Sequence, residues 1–143
     1  MSSQRYVFNT KAELDNAINE WIADETIATS TYGDINTWDV SPITDFSFLF
    51  KDKASFNSEI GQWDVSNGEN FRNMFGGATS FNQNINSWNV SSGSDFSYMF
   101  FNATSFNKPL DNWNVSEGLT FERTFDGATS FNQDIGNWDV SNV

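Results

Sequence analysis

The four residues Trp63-Asp64-Val65-Ser66 recur as Trp38-Asp39-Val40-Ser41, Trp88-Asn89-Val90-Ser91, Trp113-Asn114-Val115-Ser116 and Trp138-Asp139-Val140-Ser141, each copy 25 residues after the last. A strict period without insertions means one structural unit stacked along an axis, because no single unit can bury its apolar face alone. The chain is therefore expected to be one array with a different beginning: an N-terminal helical cap over 1–29 and a repeat solenoid over 30–143, with about four full repeats and a partial one.

The cap reading rests on residues 10 to 23. Thr10-Lys11-Ala12-Glu13 has the form of a capping box, and Leu14, Ala17, Ile18, Trp21 and Ile22 recur at spacings of three and four, the stripe of an amphipathic helix. A helix there would keep the apolar end of the array out of water.

In the array, Ile35, Ile60, Ile85, Leu110 and Ile135 stand three residues before each Trp, and Val40, Val65, Val90, Val115 and Val140 two residues after it. Apolar-x-x-Trp-x-Val resembles the strand segment of a leucine-rich repeat, with Trp and Val inward, the residue between them outward, and strands pairing in parallel between coils. Three phenylalanine columns follow: Phe46, Phe71, Phe96 and Phe121; Phe50, Phe75, Phe100 and Phe125; Phe56, Phe81, Phe106 and Phe131. The spacing of Phe46, Leu49 and Phe50 predicts a short helical turn opposite the strands. Asn57, Asn82, Asn107 and Asn132 then form a column expected to act as an internal hydrogen-bond ladder. The fold class implied is an α/β solenoid, a right-handed leucine-rich-repeat-like array of short parallel strands and short helical turns.

With these columns in place, the chain resembles the BspA-like leucine-rich-repeat surface proteins, the DUF285 family. The resemblance is carried by Trp138-Asp139-Val140-Ser141-Asn142-Val143 and by Ala128-Thr129-Ser130-Phe131-Asn132-Gln133-Asp134-Ile135. It departs at Gly68, Gly93 and Gly118, where the family usually has Val, and at Phe46, Phe71, Phe96 and Phe121, where it usually has Met; larger rings filling the space of lost methyls would be tolerated as a concerted exchange. The resemblance implies a cell-surface or secreted module for adhesion and recognition, binding a protein or glycan ligand.

Composition narrows the remaining chemistry. Nineteen acidic against seven basic residues give a net charge of -12, which repels nucleic acid and anionic membranes. With no cysteine and no histidine, thiol nucleophiles, histidine acid–base catalysis and structural zinc are excluded, and no carboxylate pair breaks the repeat in an apolar setting. An enzyme is not expected, nor a cofactor. No apolar run is long enough to cross a bilayer, and the start lacks a signal-like apolar segment, so either the protein is soluble or signal and anchor lie outside the sequence.

The outward row Asp39, Asp64, Asn89, Asn114 and Asp139 is the candidate binding strip, against the simpler reading of a solvated face. A Ca²⁺ bridging Asp39 and Asp64 would have too few oxygen ligands, so no metal is expected. Asn89, Asn102 and Asn114 open N-x-Ser/Thr sequons, with Asn102 in a loop the most accessible glycosylation candidate. The array breaks off at Val143, one strand into a further copy; an open end of this kind is expected either to continue in a longer array or to dock copies of the chain end to end into filaments.

Overall fold

The computed structural model describes residues 4–143; the first three residues of the expected cap lie outside the described residues. Helix α1 spans Lys11–Ala23 and buries Leu14, Ala17, Ile18 and Trp21, the expected stripe. Its N-terminus is closed by the Thr10 hydroxyl, which accepts from the Glu13 amide at 3.2 Å. Glu13 reaches one residue further back than a capping box requires, accepting from the Asn9 amide at 3.4 Å. Helix α2, Glu25–Tyr32, follows at once because Asp24 ends α1 in an extended conformation and caps α2 through the Ile27 amide. Helix α1 lies across the first repeat: Trp21 Nε1 donates to Ser58 Oγ at 3.0 Å, and Lys53 Nζ donates to Asn19 Oδ1 at 2.7 Å.

The lead-in is also structural. Val7 pairs in parallel with Asp39, through Phe8 N–H to the Asp39 carbonyl at 3.0 Å and Asp39 N–H to the Tyr6 carbonyl at 2.9 Å. Phe8 is thereby buried against the Trp38 ring, with centroids 4.9 Å apart. At the end of α2, the Glu20 carboxylate beside the Tyr32 hydroxyl is the main cause that pushes that phenol up to about 12, with burial adding to it. A raised phenol pKa favours the neutral folded form, so its contribution is intact below pH 10 and disappears as pH rises towards 12. Melting temperature is accordingly expected to fall between pH 10 and 12, and Glu20→Gln to flatten that fall.

The array does not form the expected right-handed leucine-rich-repeat-like α/β solenoid. Among the described residues there are two α-helices, one 3-10 turn at Ile35–Thr37, isolated bridges, and no strand. The Trp-x-Val segment is too tightly turned to lay down a ladder. In the second repeat the Trp63 amide bonds back to the Ile60 carbonyl and the Gly68 amide to the Val65 carbonyl, while Asp64 closes its own turn on Ser66, and the later repeats do the same. Nor is there a helical turn at 46–50. Phe48 sits at φ 62, followed by Asp52 at φ 59, and the same positions one, two and three repeats on are Asn73, Gly77, Tyr98, Asn102, Arg123 and Gly127, all left-handed.

These left-handed residues turn the amides of 46, 48, 50 and 52 to one side, where they donate to the carbonyls of Asn70, Arg72, Met74 and Gly76 at 2.7–2.9 Å. The same one-way lane joins Phe71, Asn73, Phe75 and Gly77 to Asp95, Ser97, Met99 and Phe101, and Phe96, Tyr98, Phe100 and Asn102 to Thr120, Glu122, Thr124 and Asp126. The repeats are thus held in a 25-residue register by the segment expected to be helical, and the segment expected to be a strand supplies turns. Three isolated parallel bridges mark the register, Asp45 to Asn70, Asn70 to Asp95 and Asp95 to Thr120.

Side chains stack in the same register. Trp63, Trp88 and Trp113 are 3–4% exposed, with centroids 6.5 and 6.4 Å apart and planes 3° apart. Each indole Nε1–H donates to the carbonyl three residues before the preceding Trp, as in Trp88 to Ile60 at 3.0 Å and Trp113 to Ile85 at 2.9 Å, so the rings are core members with their polar atom satisfied. The Phe50, Phe75 and Phe100 rings stack at 5.4 and 5.6 Å and lie 4.1–4.3 Å from the Phe56, Phe81 and Phe106 rings of their own repeats. Thr124, which interrupts the Leu49, Met74, Met99 column, is buried with its hydroxyl donating to the Phe96 carbonyl at 2.9 Å.

The asparagine ladder forms as expected. Asn82 N–H donates to Asn57 Oδ1, Asn107 N–H to Asn82 Oδ1 and Asn132 N–H to Asn107 Oδ1, each at 2.9 Å. Asn82→Ala leaves the Asn107 amide without its acceptor and is expected to cost about 1 kcal/mol in urea denaturation. Asn82→Asp keeps an acceptor oxygen and should cost less.

Candidate functional site

The row Asp39, Asp64, Asn89, Asn114 and Asp139 falls in one repeat register, but each member is engaged by its own turn. Its Oδ1 accepts from the amide of Ser41, Ser66, Ser91, Ser116 or Ser141, in every case at 3.0 Å. Asp39 is half-buried under the lead-in, and the other four are exposed. The Ser66 hydroxyl and then its amide hold the Asp64 carboxyl below its ordinary 3.8, against the opposing effect of burial, and Ser141 acts on Asp139 in the same way. Bonds of this kind favour the ionised carboxylate and explain why Asp and Asn interchange in the column: both carry the acceptor the turn requires.

The sequon residues differ in setting. Asn89 and Asn114 have their carboxamide oxygens tied into these turns. Asn102 is exposed, at φ 56, with its carboxamide oxygen over Gly127 in the space a Cβ there would need. Asp52 covers Gly77 in the same way.

A second surface groups residues that the repeat pattern does not single out. The position at Phe48, Asn73, Tyr98 and Arg123 is left-handed throughout but chemically variable. Asn tolerates this conformation; Phe, Tyr and Arg bear a cost of roughly 1–2 kcal/mol each. Phe48 is nonetheless 46% exposed. It lies in a cleft between α1 and the first repeat, lined also by Lys11, Lys51, Lys53, Asp15 and Asn19. Lys51 Nζ is 5.8 Å from the Phe48 ring centroid, and the Arg72 guanidinium is 4.9 Å from that of Tyr98 while donating to Ser97 Oγ at 2.9 Å. In the sequence this is one of several columns that vary from repeat to repeat, with Lys51, Lys53, Arg72 and Arg123 in or near it.

Among the described residues no group of three or more carboxylates could hold a metal ion, and no helix is long and apolar enough to cross a membrane. Every buried side-chain nitrogen and oxygen among them has a hydrogen-bond partner. Residues 24–138, from the cap of α2 to the last Trp, match the model of a family described as "Mycoplasma protein of unknown function, DUF285". No curated protein and no solved structure matches the chain.

Proposed function

The chain belongs to the DUF285 family, and from its geometry we propose that it is a non-enzymatic recognition module, acting in adhesion at a cell surface or in the extracellular space. The observation that carries this reading is the fixed register of the array. Buried ring columns and a one-way amide lane hold exposed side chains at a constant interval, a surface suited to extended partners rather than to small substrates. The carboxylates of the repeated row serve as turn acceptors, which leaves them poorly placed as acid–base groups. The resemblance to BspA-like surface proteins supports the same reading.

Fluorescently labelled chain is expected to bind intact cells or extracellular-matrix preparations saturably, and protease or glycosidase treatment of those surfaces would identify the ligand class. Absence of saturable binding to both would contradict the reading.

End-to-end self-assembly is the second reading, and one observation favours it. On the last repeat Phe121, Phe125, Ile135 and Trp138 are only partly buried and Val140 is 50% exposed, a surface that either a further repeat or a second copy of the chain would cover. Against it, α1 already lies across the first repeat where such a copy would dock. Concentration-dependent growth in light scattering supports filaments, and a particle of 16.2 kDa at all concentrations contradicts them. Excess intact mass mapping to Asn102 would mark a glycoprotein.

A further inference from the structure

We propose that the cleft of Lys11, Phe48, Lys51 and Lys53, extended along the array by Arg72 and Tyr98, binds a linear anionic glycan whose sugars carry carboxylate or sulfate groups. The inference deepens the recognition reading above and rests on it. Lys11, Lys51 and Lys53 line the cleft with the exposed Phe48 ring, Lys51 Nζ lying 5.8 Å from its centroid, and two carboxylates are near them, Asp15 at 3.4 Å from Lys11 and Asp52 at 4.0 Å from Lys51. Lys53 Nζ meets only the neutral Asn19 carboxamide. In a chain of net charge -12, five of the seven basic residues, these with Arg72 and Arg123, lie in the cleft or in the columns that extend it, where Glu122 and Asp126 also stand, Asp126 at 3.9 Å from Arg123. Carboxylates dominate the remainder, so an anion is guided here and repelled elsewhere.

The aromatic rings define the rest of the ligand. Phe48 and Tyr98 occupy equivalent positions two repeats apart, both in a left-handed conformation that a bulky side chain adopts only at a cost. Packing does not demand the ring at position 48, since Asn73 fills the equivalent place in the next repeat and Phe48 is nearly half exposed. A flat apolar face beside a cation suits a sugar ring, which offers C–H groups on one face and an anionic substituent at its edge. Repetition along the array suits a polymer with a repeating charged unit. An acidic peptide matches the charge but offers no regular flat face.

The test is affinity electrophoresis of the full chain through gels containing polygalacturonate, dextran sulfate, neutral dextran or polyglutamate. Retardation by the two anionic glycans and not by dextran is expected. Phe48→Gly and the double change K51Q/K53Q should each weaken it by roughly tenfold or more, with melting temperature kept, since glycine suits the left-handed position. Equal retardation by polyglutamate, or undiminished retardation of Phe48→Gly, would overturn the proposal in favour of bare charge attraction. If the chain binds cells but ignores both glycans, the glycan site falls and the recognition reading stands; if it binds neither, both fall.

Discussion

Trp88→Ala is expected to remove much of the stability of the array, with a loss of about 3–5 kcal/mol, chiefly from the cavity, since the Ile60 carbonyl loses the indole but keeps the Trp63 amide as donor. Trp88 is 3% exposed, stacks on both Trp63 and Trp113, and also lies 6.2 Å from Phe75, so its removal opens the centre of three repeats at once. Small domains hold only about 5–15 kcal/mol in total. Because repeat arrays are stabilised by nearest-neighbour interfaces, the break should also reduce the cooperativity of unfolding. Trp88→Phe keeps an aromatic ring in the column but loses the 3.0 Å bond to Ile60, and is expected to cost less than the alanine change. Urea denaturation followed by far-ultraviolet circular dichroism measures both, and a loss below about 1 kcal/mol for the alanine variant would mean that the tryptophan column does not carry the stack.

The second large effect is a clash. A Cβ on Gly93 would lie 2.5 Å from Phe96 Cζ, 3.0 Å from the Val90 carbonyl oxygen and 3.1 Å from Phe71 Cε2. Gly93→Val is therefore expected to destabilise by roughly 3 kcal/mol, at the upper end for overpacking. The flexible Met at 96 can withdraw from that space, so Gly93→Val with Phe96→Met should recover a large part of the loss, giving a coupling of about 1–3 kcal/mol in a double-mutant cycle. Strict additivity would show that the valine is excluded by the Val90 carbonyl rather than by the ring. The same contacts recur at Gly68 and Gly118, whereas the first repeat accommodates Ile43 at this position beside Phe46, both buried.

These packing columns were legible from residue identity alone, because stacking places like on like: Trp on Trp, Phe on Phe, Asn on Asn. Helix α1 was legible for a different reason, its apolar stripe from Leu14 to Trp21 having a single solution. Backbone conformation was not. The alternation of Trp and Val reads as a strand, but turns closing on Ile60, Asp64 and Val65 put the same side chains inward without extended pairing. Phe46, Leu49 and Phe50 read as a helical turn, and the left-handed Phe48 between them cancels it; no propensity rule places a phenylalanine there. The lead-in Tyr6–Phe8 was missed because three residues have no periodicity to detect.

The outward Asp and Asn row shows that a repeated polar column can have a local cause. Its recurrence is accounted for by the Asx turn, in which a local amide needs an oxygen in each repeat. The cleft around Phe48 left no such mark, because its residues vary from repeat to repeat as those of other columns do, Lys51, Gly76, Phe101 and Asp126 among them. A site confined to one or two repeats leaves no period, and only the packing of α1 beside Lys51 and Lys53 brings its parts together.

Amide hydrogen exchange resolved by NMR tests most directly the claim that this array is joined through the segment around Phe48 and its equivalents rather than through Trp-x-Val strands. The amides of Phe71, Asn73 and Phe75, bonded to the next repeat at 2.8–3.0 Å, and those of Phe96, Tyr98 and Phe100 should exchange slowly. Those of Asp64, Asn89 and Asn114, for which the structure provides no such bond, should exchange fast. Protection in the reverse order, slow at Asp64, Asn89 and Asn114 and fast at Asn73 and Tyr98, would contradict the account and restore a parallel sheet beneath the tryptophans.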